Sequence, residues 1–154
     1  MIRIMKEPMT YTPVLGDSEV RKTVADFVSK RDGVKIAIDN IAITSGAIQG
    51  IFAILNAIKK EGEVLLPDPS WSAYDFPIRA CGLRSRRIEY GNLDDTRTIA
   101  QMNKDTVAII VNNPENPTGK VYDEDNLIAL VETITRLKSS SMRSISTFTM
   151  AKRN

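Results

Sequence analysis

The chain has 154 residues, 42% apolar and 26% charged, with one cysteine, no histidine and a formal net charge of +2. This is the balance of a globular protein; it excludes a collagen-like chain, a disulfide scaffold, Ser-His-Asp or Cys-His catalysis, and histidine or zinc-ribbon metal sites. Five basic and no acidic residues fall between 136 and 154, so the first 135 residues carry a net −3, with no nucleic-acid footprint.

Thr12 to Asp17 reads as a turn leading into a helix, in which Val20, Val24, Phe27 and Val28 recur at helical spacing and Asp32-Gly33 ends the run. Ile36-Ala37-Ile38 and Ile41-Ala42-Ile43 are expected as short strands. Thr44-Ser45-Gly46 then opens a second helix. Its apolar residues (Ala47, Ile48, Ile51, Phe52, Ile54, Leu55, Ile58) cover most of its surface, which predicts a largely buried element. Glu63 to Leu66 reads as a strand stopped by Pro67 and Pro69, Pro77 to Ala80 as part of a helix stopping at Gly82, and Arg87 to Tyr90 as an alternating strand. Thr106 to Val111 is a β-branched and apolar run, the pattern of a central strand in a parallel sheet. Asn112 to Gly119 is a polar, proline-rich loop. Asp123 to Leu137 is an amphipathic helix with Leu127, Leu130, Val131 and Ile134 on one face.

Strands alternating with helices predict a three-layer α/β/α sandwich around a mostly parallel sheet. Ligands of such folds sit at the carboxyl ends of the strands. Two loops are expected there. At Thr44-Ser45-Gly46-Ala47, free amides of a first helical turn favour a phosphate, although Thr44 or Ser45 acting as a simple helix cap explains the same residues. Asn112 to Gly119 has three asparagines, two prolines and a glycine, more constraint than a turn requires. Trp71, the single tryptophan, follows a strand end, where it either stacks on a flat ligand or packs in the core.

Taken in order, Tyr11-Thr-Pro-Val-Leu-Gly16 with Arg21, Thr44-Ser-Gly-Ala-Ile-Gln49, Gly62-Glu-Val-Leu-Leu-Pro-Asp-Pro-Ser-Trp71 with Tyr74, and Asn112-Asn-Pro-Glu-Asn-Pro-Thr-Gly119 resemble the class I/II aminotransferases, fold type I enzymes that use pyridoxal 5′-phosphate. The resemblance runs from about Thr10 to Leu137. It implies a partial large domain over residues 1–137 of a fold whose intact sheet has seven strands. It implies that the amides of Ala47 and Ile48 cradle the cofactor phosphate, that Trp71 stacks on the pyridine ring and that Asn116 hydrogen-bonds the 3′ oxygen. It further implies that Tyr11 reaches the phosphate of a neighbouring subunit's cofactor, hence a homodimer. Amino acid and 2-oxo acid substrates follow from the same resemblance, with a β-lyase or an aminocyclopropane carboxylate synthase-like enzyme, or a non-catalytic interaction protein, as the other readings. No nucleic-acid or membrane partner is expected: no apolar run approaches the roughly 20 residues of a membrane span, no signal peptide opens the chain, and the cytoplasm is the expected compartment.

The family's cofactor-binding lysine, its pyridine-pairing aspartate and its carboxylate-gripping arginine have no matching positions here. The chain is therefore read as a fragment, inactive alone, with no catalytic residue assigned. Residues 138–154 are expected to form an aberrant basic, Ser/Thr-rich tail that packs poorly and leaves the central strand with an open edge. A one-base shift of reading frame, with T-C-N serine codons, turns Ser139 to Ser141 into apolar residues followed by Asp-Glu-x-Tyr, the family's missing motif. A frameshifted tail is the expectation that follows.

Overall fold

The computed structural model describes residues 11–58, 61–89, 95–140 and 146–151. The chain divides into two compact units, Met1–Gln49 and Gly50–Asn154.

In the first unit, helix α1 (Ser18–Asp32) starts at Asp17, whose carboxylate accepts from the amides of Glu19 (2.9 Å) and Val20 (3.0 Å). It ends at Gly33, in the left-handed conformation. The expected apolar stripe is not the buried one: Val20 and Phe27 are exposed, and the inward positions are Arg21 and Ala25. Arg21 explains the change. Its Nε donates to the Ile41 carbonyl at 2.8 Å and its Nη2 to the Ile38 carbonyl at 2.9 Å. The strands expected at 36–38 and 41–43 do not form. A single 3₁₀ turn at Ile38–Asn40 stands between extended residues, and Arg21 takes carbonyls that a sheet ladder would use. The Ile43 amide bonds the Leu15 carbonyl at 2.9 Å.

Helix α2 (Ala47–Ala57) begins in the first unit and continues into the second, the division falling between Gln49 and Gly50. It is not largely buried. Ile51 and Leu55, one turn apart, rest on the sheet, while Phe52 and Ile54 are exposed, because the sheet offers the helix one surface only.

The second unit holds a four-stranded, all-parallel sheet in the order β2-β1-β3-β4, with β1 Glu63–Pro67, β2 Arg84–Ile88, β3 Thr106–Asn113 and β4 Ser146–Ala151. Helices α3 (Asp75–Ala80), α4 (Asp95–Ala100) and α5 (Glu124–Ser140) complete it. The alternation of β1 sorts the core. Val64 and Leu66 pack with α2 and α3 residues Ile51, Leu55 and Ile78 on one face. Leu65 packs with Leu130 and Ile134 of α5 on the other, where Ile99 of α4 also rests. Helices on both faces of a parallel sheet make the three-layer α/β/α arrangement. Between Glu63↔Thr106 and Val64↔Ala108 the register slips by one residue, and this bulge lets Val107 and Ala108 share a face.

Two boundaries differ from expectation. α5 runs through Ser140, so the limit drawn at 137/138 falls inside a helix. Ser146–Ala151 pairs with β3 from Ala108 to Asn113, so that edge of β3 is not open. Thr147, Phe148 and Thr149 suit a strand, and β3 has a second ladder to fill. The remaining tail residues, 141–145 and 152–154, lie outside the described residues.

Candidate functional site

The sheet's connections set the place. From β1 the chain moves outward to β2, then returns past β1 to β3 and continues away to β4. The connections therefore diverge between β1 and β3, and a crevice opens at the carboxyl ends of these two neighbours. Trp71 lies on the segment that follows β1 and Asn116 on the segment that follows β3, so both follow the carboxyl ends of these two neighbouring strands.

Trp71 is half-buried and meets Tyr74 edge-on, with ring centroids 5.3 Å apart. It packs on the core cluster that holds Tyr74 and Ile78 and keeps part of its surface outside. A one-turn 3₁₀ helix, Ser72–Tyr74, carries it into α3. The hydroxyls of Ser70 and Tyr74 are withdrawn from solvent and have no hydrogen-bond partner among the described residues. Burial, with the charge of nearby Glu115, raises the Tyr74 phenol to about 12, so it stays a neutral donor. Two unmatched hydroxyls beside an aromatic plate fit a polar aromatic group at this crevice.

The Asn112 to Gly119 loop is tied internally. The Glu115 amide donates to the Lys120 carbonyl at 2.8 Å, and the Gly119 amide donates to the Glu115 carbonyl at 2.7 Å. The peptides Asn113–Pro114 and Asn116–Pro117 are cis. The Asn116 side chain is exposed. Its backbone amide donates to Glu115 Oε1 at 3.0 Å. Sequence reasoning missed Glu115. It is only 3% exposed, and burial raises its carboxyl above the usual range, against the lowering hydrogen bonds from the Asn116 amide, the Tyr122 hydroxyl and the Asn112 amide. Nothing in a glutamate flanked by prolines and asparagines marks it as buried.

In the first unit, Ala47 and Ile48 are the first two residues of α2, as expected. Capping by Thr44 is not what is seen: its hydroxyl donates to the Gly46 carbonyl at 2.9 Å. Gln49 reaches back to accept from the Ser45 amide. Neither bond uses the amides of Ala47 or Ile48, which keeps those amides suited to an anion. Tyr11 lies in the first unit, fully exposed.

Among the described residues no cluster of carboxylates and cysteine is placed to hold a metal. None of the described helices is long and apolar enough to cross a membrane.

A family model described as aminotransferase class I and II matches residues 2–140. The chain belongs to the class I/II aminotransferase family. A probable aspartate/prephenate aminotransferase of Aquifex aeolicus is 35% identical over 140 residues, covering 85% of this chain and 35% of that protein. An S-alkyl-thiohydroximate lyase of Arabidopsis thaliana is 32% identical over 136 residues, covering 83% of this chain and 29% of that protein. The crystal structure of an aminotransferase from Eubacterium rectale superposes with a TM-score of 0.85 over 96% of this chain and 40% of its own, at 23% identity, which speaks for the fold. The chain thus spans about a third of the length of these curated relatives.

Proposed function

We propose that this chain is part of a pyridoxal-phosphate-dependent aminotransferase that moves an amino group between an amino acid and a 2-oxo acid, and that alone it binds the cofactor without turning over. The observation that carries the reading is the crevice between β1 and β3, with Trp71 following one strand and Asn116 the other, in a member of this family. When bound, the cofactor supplies an electron sink for charge left on a substrate carbon. The chain's own residues bind and orient. Trp71 offers an aromatic face to the ring, and the Asn116 carboxamide donates to the ring's 3′ oxygen. The amides of Ala47 and Ile48 donate to a phosphate, helped by the positive end of the α2 dipole. Tyr11, fully exposed, is assigned to the phosphate of a second subunit's cofactor in a cytoplasmic homodimer.

A second reading keeps the cofactor and changes the reaction. The Arabidopsis relative is named a lyase, at nearly the same identity as the Aquifex aminotransferase, and this supports a lyase role as the second reading.

The experiment adds pyridoxal 5′-phosphate to the purified chain and records its absorption with several amino donors and oxo-acid acceptors. The expected outcome is reversible, millimolar-range binding and no donor-dependent spectral conversion. One stoichiometric lysine adduct trapped by borohydride, with donor-dependent conversion, would overturn the proposed inactivity. Absence of any binding would overturn the cofactor reading.

A further inference from the structure

The Asn112 to Gly119 loop is organised around a carboxylate that no part of the proposed chemistry uses. Glu115 is almost wholly buried. Its Oε1 accepts from the Asn116 amide at 3.0 Å. The Tyr122 hydroxyl approaches its Oε2 at 3.5 Å. Two donors converge on one side chain from different parts of the chain, and a carboxyl group, with an acceptor oxygen for each, meets both. Tyr122 links this knot to the core: its ring packs with Leu65, Ile109, Val111, Leu130 and Ile134, and its amide donates to Asn113 Oδ1 at 3.0 Å.

Burying a carboxylate is costly, and a neutral side chain would close a simple turn at less expense. What Glu115 does that a turn residue does not is hold the backbone of the next residue while leaving that residue's side chain outside. Asn116 is fixed through its own amide, and its carboxamide stays exposed for a ligand. The outward aim of a short amide side chain depends on its backbone, and misplacement by about 1 Å is enough to lose its hydrogen bond.

We infer that Glu115 is a positioning residue: its side chain clasps the loop from inside, ties it through Tyr122 to the core, and so aims the Asn116 carboxamide at the cofactor's ring oxygen. The inference rests on the cofactor reading for its purpose, but the clasp stands or falls separately.

The test uses the 154-residue chain and its single tryptophan. Excitation at the indole band reports Trp71 alone, so quenching by pyridoxamine 5′-phosphate, which carries no aldehyde to react with surface lysines, measures binding at the crevice. Asn116→Ala is expected to weaken binding roughly tenfold, the loss of one hydrogen bond. Glu115→Ala is expected to weaken it by a similar factor, and the double variant no more than either alone, because Glu115 acts through Asn116. Glu115→Gln keeps the volume and one acceptor; it is expected to lose a few-fold and, again, nothing further in the Asn116→Ala background. This variant decides the matter if Glu115→Ala does not fold. Amide exchange supplies the second readout: Asn116 should lose protection in either Glu115 variant while Gly119 and the β1–β3 ladder keep theirs. Additive losses in the two backgrounds, or an Asn116 amide as protected as in the parent, would overturn the proposal. Should pyridoxamine 5′-phosphate fail to quench the parent chain, the cofactor reading falls, and the exchange data still decide whether Glu115 is the clasp.

Discussion

Glu115 carries a pH signature whose sign follows from its burial. Its carboxyl is raised by desolvation, so the folded chain holds its proton more tightly than the unfolded chain does. The stability tied to that proton is full below the ordinary carboxylate range and is lost as pH rises through the raised value. Glu115→Gln is therefore expected to be neutral or stabilising at pH 7 and to lose that advantage near pH 4. Urea midpoints of parent and variant across this interval check it; a parent that gains on the variant as pH rises contradicts the sign. Gly62 is the other residue whose chemistry is decided locally. It sits at φ +143°, and an added Cβ would lie 2.5 Å from Val107 Cγ1 and 2.7 Å from the Asp105 carbonyl. Since a backbone oxygen just ahead of β3 cannot swing aside, Gly62→Ala is expected to cost about 2–4 kcal/mol, read from its denaturation midpoint.

At the scale of elements, legibility tracked how one-sided each signal was. β3 was readable because its β-branched run is buried on both faces, and its residues Thr106 to Val111 are indeed all buried. The Asn112 to Gly119 loop was readable because prolines and asparagines have few other uses in such density. β2 begins three residues earlier than the alternation from Arg87 to Tyr90 predicts. Arg84 to Arg87 includes three arginines, a polar pattern that hides an edge strand lying against β1. α4 leaves no periodic signal in the sequence: Asp95–Ala100 offers only Ile99 and Ala100 as apolar positions. The unformed strands near Ile38 and Ile41 failed for a tertiary reason, the reach of Arg21 across the chain, which no local window contains. Glu63 shows the same kind of link between elements. Oε1 of this first residue of β1 accepts from Arg86 Nη2 (2.8 Å), Asn103 Nδ2 (2.8 Å) and Thr106 Oγ1 (2.9 Å), joining β1, β2, the α4–β3 connection and β3. Burial alone would raise its carboxyl, but the hydrogen bonds from Arg86, Thr106 and Asn103 and the Arg86 charge outweigh this and hold it below the usual range. Its stabilisation is present above the ordinary carboxylate pKa and is lost as pH falls through the lowered one. Glu63→Gln is expected to cost about 1–3 kcal/mol at pH 7 and to flatten the acid limb of the stability profile. An unchanged acid limb in calorimetry would contradict it.

For the whole molecule, the sheet order β2-β1-β3-β4 has a consequence for how the chain comes into being. β1 lies between β2 and β3, and its second neighbour follows its first in sequence: Glu63 meets Arg84 on one side and Thr106 on the other. A nascent chain that has delivered β2 but not β3 has built one side of β1 and left the other bare. Val64, Leu65 and Leu66, fully buried in the finished protein, then lie along an unpaired rim. At roughly 5–20 residues per second, the ribosome leaves that rim open for on the order of a second or more. The strand that ends in the Asn112 to Gly119 loop is thus also the strand that closes this rim, so the moment at which the crevice first exists is also the moment at which the open edge of the growing sheet passes from β1 to β3, to wait there for β4.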